Sequence, residues 1–360
     1  MPTSSANGNV AGTYHRLTQR PRPNLISIVI PIYNEEESIP ALLARVRGVM
    51  DRLPAPSELI LVNDGSRDLS ADQLFRAAQE DSTIKVLSLA RNFGHQIAAT
   101  AGLDHARGDA VVLMDADLQD PPELILDMLD RYLEGYDVVY AHRVKRVGES
   151  VFKRASAWVF YRVMRKFVHK DLPTDVGDFR LVSRNCLDAL KSMRETHRFL
   201  RGMVSWVGFA QTSVDFVRPP RMAGETKYPF WKMMRFAWNA AVSFSPAPLR
   251  ISFGFGVLLA VTGILYGIYA VVRAAFGLYA VPGWTSSVVL ICIVNGATMI
   301  CIGLLGEYVA KIFEEAKGRP LYIIASSANT GATSHSCTAN CEHLERTQTS
   351  EGRTAMTSRD

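Results

Sequence analysis

Two stretches of this chain, residues 251–272 and 284–306, each run for more than twenty residues without a charged side chain. A helix needs about 20 consecutive apolar residues to cross the hydrocarbon core of a bilayer. Buried helices of soluble domains are usually shorter and carry some polar residues. Both runs are therefore read as membrane spans, at about 251–273 and 284–306. Only residues 273–283 separate them, so the pair forms a hairpin that returns the chain to the side it left.

The placement of positive charge says which side that is. Arg218, Arg221, Lys227, Lys232, Arg235 and Arg250 precede the first run and Lys311, Lys317 and Arg319 follow the second, whereas the connection carries only Arg273. Lys/Arg-rich flanks stay on the cytoplasmic side. The chain is thus expected to be a multi-pass membrane protein with both termini cytoplasmic. Residues 1–24 lack the apolar core of a signal peptide and read as a flexible leader. Residues 307–325 form a short post-membrane segment, and 326–360 a Ser/Thr-rich tail expected to be disordered. Of the five cysteines, Cys292 and Cys301 lie in the second run, Cys186 in the soluble part and Cys337 and Cys341 in the tail, where they stay reduced in a cytoplasmic setting.

The net charge of +5 hides an uneven distribution. Residues 143–170 hold nine Lys/Arg against Glu149 alone, interleaved with Phe152, Trp158, Phe160 and Phe167. In the juxtamembrane segment 223–250, Trp231, Phe236, Trp238 and Phe244 alternate with Lys232 and Arg235. Cations mixed with aromatic anchors suit helices lying at the surface of a lipid bilayer. The remainder of the chain is correspondingly acidic, and nucleic acid is not expected as a partner.

From Leu25 onward the soluble body, residues 25–222, alternates short β-rich runs with longer amphipathic ones. Strands are expected at 26–30, 58–62, 85–89 and 110–114, and helices at 38–53, 70–81 and 95–106. This βαβαβαβ series predicts an α/β, Rossmann-like fold with a mainly parallel sheet. Ligands of such sheets bind at the carboxyl ends of the strands. There the sequence places Pro31-Ile32-Tyr33-Asn34-Glu35-Glu36, then Asn63-Asp64-Gly65-Ser66, then Asp115-Ala116-Asp117-Leu118-Gln119-Asp120. Two carboxylates one residue apart at a strand end can both reach Mg²⁺ or Mn²⁺, cations that take oxygen ligands and leave positions open for phosphates. Neither of the glycine-rich phosphate loops, GxGxxG or GxxxxGK[ST], follows any of these strands, which argues against a dinucleotide oxidoreductase or a P-loop ATPase.

The segments PIYNEEESI, VNDGSRD, ARNFGHQIAATAGLDHARGD, DADLQDPPE, DVGDFRLVSR, HRFLRG and AGETKYPFWKMMRFA occur in the order seen in the polyprenyl-phosphate glycosyltransferases. The chain resembles this GT-A branch of glycosyltransferase family 2 from Leu25 to Tyr322, most closely the bacterial GtrB and ArnC types and the dolichol-phosphate mannose synthases. The resemblance implies transfer of a sugar from a nucleotide-sugar donor to a polyprenyl phosphate acceptor, with Mg²⁺ or Mn²⁺ as cofactor, in a homo-oligomer that would be a tetramer. It assigns Pro31, Tyr33 and Glu35 to the base and ribose pocket, with Asp64 close to the base. Asp115, Asp117 and Gln119 match the metal site, and Asp115 and Ala116 also border the donor. Asp178 matches the acidic residue proposed as catalytic, with Asp117 beside it in that role. Arg221 and Lys227 match donor-phosphate residues, and Arg143 and Arg201 are candidates for the lipid phosphate.

An acceptor phosphate is already anionic near neutral pH, so it needs little deprotonation. Asp178 is accordingly expected to orient the acceptor through Arg180 or another cation rather than act as a strong base. Direct displacement by the phosphate oxygen would invert the anomeric centre, and glucose from UDP-glucose is the first expectation for the donor. Two other readings compete. A processive polysaccharide synthase would share the acidic motifs, but its Gln-x-x-Arg-Trp signature is absent. A non-catalytic nucleotide-sugar sensor would not need Asp115, Asp117 and Asp178 together.

Overall fold

Strand β1 (Ile26–Ile32) reads Ile-Ser-Ile-Val-Ile-Pro-Ile, and all seven of its residues are buried. A strand that is apolar on both faces belongs in the interior of a sheet covered by helices on either side. The structure is a computed structural model, and it describes residues 17–143, 176–216, 247–276 and 284–330. The chain divides into two units, one built on 1–153, 171–224 and 319–360, the other on 154–170 and 225–318.

In the first unit, β1 lies between β2 (Ser57–Asn63) and β4 (Ala110–Leu113), both parallel to it, and β3 (Ile84–Leu89) continues the parallel set beyond β2. These are the four strands expected from the sequence. Four more complete an eight-stranded mixed sheet: β5 (Val138–Arg143), β6 (Val176–Ser183), β7 (Gln211–Phe216) and β8 (Ile324–Ala328), in the order β7-β5-β6-β4-β1-β2-β3-β8. Strand β6 runs antiparallel to both β4 and β5. The chain proceeds outward from β1 through β2 to β3 and then returns to place β4 on the other flank of β1. That reversal opens a crevice at the carboxyl ends of β1 and β4.

Alternate residues of the strands face two separate cores. Ile26, Ile28 and Ile30 pack with α1 (Ile39–Met50), α2 (Ser70–Glu80) and α4 (Leu124–Leu133), whereas Val29, Ile60 and Val62 pack with α3 (His95–His105), α5 (Arg184–Ser192) and α6 (Leu200–Val207). Helix α3 sits unusually close. Its inner face is Ala98, Ala99, Ala101 and Gly102, and a Cβ on Gly102 would lie 2.3 Å from Val29 Cγ1.

Two expected boundaries shift. The leader expected to be flexible through residue 24 is held in its described part: Arg20 pairs with Asp137 at 2.5 Å, its main chain donates to the carbonyl of Leu133, and the Asn24 amide donates to Asp109. Residues 326–330, expected to belong to a disordered tail, are instead held at the edge of the sheet. Ser326, Ser327 and Ala328 belong to β8, which pairs antiparallel with β3, and Asn329 donates to the carbonyls of Ala78 and Ile84. Polar side chains are no obstacle there, because an edge strand needs only one apolar face and a main-chain partner.

The second unit contains α7 (Ala247–Ala275) and α8 (Trp284–Ala316), which contain the expected spans. Within them Leu249–Tyr269 and Ile293–Ala316 have mean hydropathies of 2.0 and 1.5 and are long and apolar enough to cross a membrane. Their large side chains point outward, as at Phe253 and Ile300, and Ser252 donates a hydrogen bond to Cys301 across the pair. The basic aromatic stretches at 144–170 and 223–246 lie outside the described residues.

At the amino ends of the strands, Glu58 is buried and accepts hydrogen bonds from Ser27 Oγ at 2.5 Å, from the Arg107 main chain at 2.8 Å and from Lys85. Burial raises its pKa, but Lys85, Ser27 and the Arg107 amide outweigh burial and hold it below the ordinary 4.5. A depressed carboxylate stabilises the fold above its unfolded pKa, and that contribution fades as the pH falls through the lowered folded value. Glu58→Gln is expected to lower the thermal midpoint at neutral pH, with the gap to the native protein narrowing below about pH 4.5, as followed by thermal unfolding across an acid series.

Candidate functional site

The β4–β6 ladder pairs Val112 with Leu181 and Leu113 with Arg180. Continued two residues further, that register sets Asp115 opposite Asp178. The residues just after β4 and near the start of β6 therefore each present a carboxylate at the crevice beside β1. On β6, Asp178 and Arg180 share the face turned toward α3 and α6, since side chains of a strand alternate.

Helix α3 delivers the cation between them. The Asp64 carboxylate accepts the main-chain N–H groups of Phe93 at 2.7 Å and Gly94 at 2.9 Å, which fixes where the helix begins. Gly94 has φ 99°, a conformation open to glycine and strained for other residues. His95, the first residue of α3, then places Nε2 3.3 Å from Asp115 Oδ1 and 3.6 Å from Asp178 Oδ2. Burial disfavours the charged imidazole, but Asp115 and Asp178 together outweigh it and push its pKa up to about 10. The helix amino terminus adds its own positive end to the same pair of carboxylates.

Asp178 is enclosed by donors. Gln96 Nε2 donates to its Oδ2 at 3.3 Å, and Arg180 Nη2 and Arg201 Nε donate to its Oδ1 at 3.1 and 3.0 Å. Arg180 is 2% exposed, bonds the Asp178 and Gly177 carbonyls as well, and stacks over the Tyr140 ring. Desolvation raises the Asp178 pKa, but His95, Arg201 and Arg180 overcome it and hold the carboxyl far below the usual range. Asp178 is thus an ionised organiser of cations, and a carboxylate so stabilised is a weak base.

The sequence-assigned residues divide around this cluster. Asp115, Asp178 and Arg201 meet in it. Asp117 is exposed on the loop beyond β4, where its carboxylate accepts the Gln119 main-chain N–H at 3.1 Å. Between them Leu118 takes φ 52°, a left-handed conformation costly for a bulky residue, and thereby turns the loop sharply. Ala116 packs into the core, so only its main chain is available to a ligand. Pro31 is buried one residue before the end of β1, and Tyr33 is 42% exposed at the crevice. Glu35 accepts from Ser38 Oγ at the start of α1, while its main chain donates to Ser70. Asp64 is turned inward onto α3. Arg143 is engaged by buried Asp120 at 3.1 Å, pressed against Gly177. Arg221 and Lys227 lie outside the described residues. His95 and Gln96 were not singled out from the sequence, although both stand in the ARNFGHQ segment directly after a strand and loop.

The donor set fits a divalent cation once the His95 imidazolium gives up its proton, because a protonated ring has no lone pair to offer. One ligand atom each from His95, Asp115 and Asp178 lies within 4.8 Å of the others. Asp115 Oδ1 is buried, and apart from the His95 ring 3.3 Å away it has no hydrogen-bond partner among the described residues. Oxygen ligands suit Mg²⁺ and Mn²⁺ alike, whereas an imidazole ligand favours the transition metal.

Residues 27–191 match the family described as Glycosyl transferase family 2, and residues 247–312 match the GtrB C-terminal hairpin. An uncharacterized glycosyltransferase of Bacillus subtilis, YkcC, is 46% identical over 301 residues, covering 84% of this chain and 93% of its own length. The chain belongs to glycosyltransferase family 2. The bactoprenol glucosyl transferase of Shigella phage SfII is 39% identical over 302 residues, covering 84% of this chain and 98% of that protein. Among solved structures, glucosyl-3-phosphoglycerate synthase from Mycobacterium tuberculosis covers 61% of this chain and 76% of its own at 19% identity, with a TM-score of 0.46, a likeness too low to bear on the site.

The two carboxylates of the cluster are expected to separate in a stability measurement. Asp178→Asn leaves buried Arg180 without its charge partner and is expected to cost on the order of 3 kcal/mol. Asp115→Asn removes only one of the two carboxylates beside His95, from a side chain 29% exposed, and is expected to cost less, on the order of 1 kcal/mol. Thermal unfolding of the two variants side by side checks this ordering.

Proposed function

We propose that this protein transfers a glucosyl group from UDP-glucose to a polyprenyl phosphate of the bactoprenol type at the cytoplasmic face of the membrane. One observation carries the reading above the others: near-complete coverage of a bactoprenol glucosyl transferase at 39% identity, together with a matching GtrB C-terminal hairpin. The two long apolar helices give a lipid-linked acceptor a place to reside. The carboxylate and cation cluster at the sheet crevice gives a charged donor a place to react.

In the proposed reaction an oxygen of the acceptor phosphate attacks the anomeric carbon of the sugar as the bond from that carbon to the diphosphate breaks. The anomeric centre inverts and the nucleoside diphosphate leaves with the bonding electron pair. No strong base is required, consistent with the ionised, cation-bound state of Asp178. Asp178 holds Arg201, which is one-third exposed, toward the crevice, where its guanidinium can meet an incoming phosphate. Asp115, with Asp117 and Gln119 completing the set, would hold a divalent cation. When bound, that cation neutralises the charge that develops on the leaving diphosphate. Tyr33 and Glu35 would border the nucleoside end, with Asp64 behind them fixing the start of α3, and Arg221 and Lys227 are assigned to the donor phosphates.

The test is transfer by detergent-solubilised protein from a panel of labelled nucleotide sugars to undecaprenyl phosphate. Label from UDP-glucose is expected in an organic-soluble product. Label in a long water-soluble polymer would favour a processive synthase, and nucleotide binding without turnover on any donor would favour a sensor. Asp117→Asn is expected to cut transfer by at least about a hundredfold. Full activity of that variant with added Mg²⁺ or Mn²⁺ would remove Asp117 from the site.

A further inference from the structure

A second pocket opens at the other pole of the sheet, among the amino ends of its parallel strands. It encloses about 420 Å³, a volume within the range of small-molecule sites, and its walls come from β3, the end of α3, α5 and the residues after β8. Six of its lining residues can carry charge: Lys85, Asp104, His105, Arg107, Arg184 and Lys191. The balance among them is positive, and the hydrogen bonds show where that charge remains uncompensated.

Asp104 is satisfied from outside the cationic set. Its carboxylate takes both bonds of Arg194, at 2.9 and 3.1 Å, and the Tyr322 hydroxyl at 2.9 Å. Lys85 is paired with Glu58, and Arg184 lies 3.5 Å from Asp188. Arg107 and Lys191 differ. The Arg107 guanidinium donates only to the carbonyl of Thr330, and the Lys191 ammonium only to the carbonyls of Asp104 and Ala106, so neither cationic group has a carboxylate hydrogen-bond partner among the described residues. Carbonyl oxygens orient a cation and satisfy its hydrogen-bonding groups, but they leave its net charge in place. Burial, followed by the neighbouring Arg184, lowers the pKa of Lys191, against a partial opposition from Asp104 and Asp188. An anion seated between these side chains would reverse that lowering.

We propose that this pocket binds a phosphate-bearing anion, with Arg107 and Lys191 supplying the charge and Arg184 the flank. Two guanidinium groups and an ammonium facing one cavity present several donors to one centre, the arrangement a tetrahedral phosphate accepts and a single carboxylate fills poorly. The site is distinct from the crevice holding Asp115 and Asp178, to which it is joined by α3: His95 begins that helix and His105 ends it. The inference does not depend on the proposed sugar transfer.

Isothermal titration of the full detergent-solubilised chain in EDTA with inorganic pyrophosphate tests it, with Asp117→Asn as the background that disables the donor site. Binding is expected to persist in that background, to weaken about tenfold in each of Arg107→Gln and Lys191→Gln, and to weaken further as salt is raised. Arg107 is exposed, so its variant keeps the fold, which thermal unfolding verifies. UDP titrated into the same background distinguishes a free polyphosphate from a nucleotide: tighter binding than pyrophosphate assigns the site to nucleotides, equal or weaker binding to free phosphates. Absence of pyrophosphate binding, binding indifferent to both substitutions, or binding lost in Asp117→Asn alone would overturn the proposal.

Discussion

A carboxylate buried inside a sheet imposes conditions on everything around it, and Asp178 is such a group. Removed from water, it must be matched by opposite charge and hydrogen-bond donors or the fold loses several kcal/mol. Here the match comes from three separate elements. Arg180 stands two residues along the same strand, Arg201 projects from α6, and His95 and Gln96 come from the first turn of α3. Strand β6 can be antiparallel between β4 and β5 only if this polar face finds those partners. The requirement that stabilises the fold therefore also assembles the chemistry.

Helix α3 is the element through which sheet and site are coupled. Its alanines and Gly102 let it approach β1 and β2 closely, and Asp64 at the end of β2 anchors its first amides. With both its face and its start fixed, His95 has little freedom in where it presents its ring. Positioning by close packing is less adaptable than positioning by a loop, but it needs no ligand to become ordered.

The parallel half of the sheet was legible because β1 to β4 are apolar runs separated by amphipathic helices. The acidic crevice was legible because its residues follow those runs directly. Strands β5 to β8 were not. β6 carries Asp178 and Arg180 where a strand pattern calls for apolar residues, and only their mutual pairing makes burial possible. β8 is short and rich in serine, and it is specified by the free edge of β3 more than by its own sequence. Asp64 illustrates another limit: an aspartate at a strand end reads as a ligand for substrate, while its two oxygens here meet main-chain amides thirty residues onward. His95 was hidden for the complementary reason, since a single histidine beginning a helix carries no pattern until two carboxylates are seen to flank it.

The pairing of β8 with β3 means that the last strand of the sheet is supplied only after the chain has completed both long apolar helices. During synthesis the strands from β1 to β7 emerge before those helices, leaving the edge of β3 open until residues 324–328 arrive. An uncovered strand edge invites pairing with other chains. Completion of the sheet is thereby tied to completion of the two apolar helices: a molecule interrupted before Ile324 would carry every residue of the carboxylate cluster and still expose an unpaired strand edge.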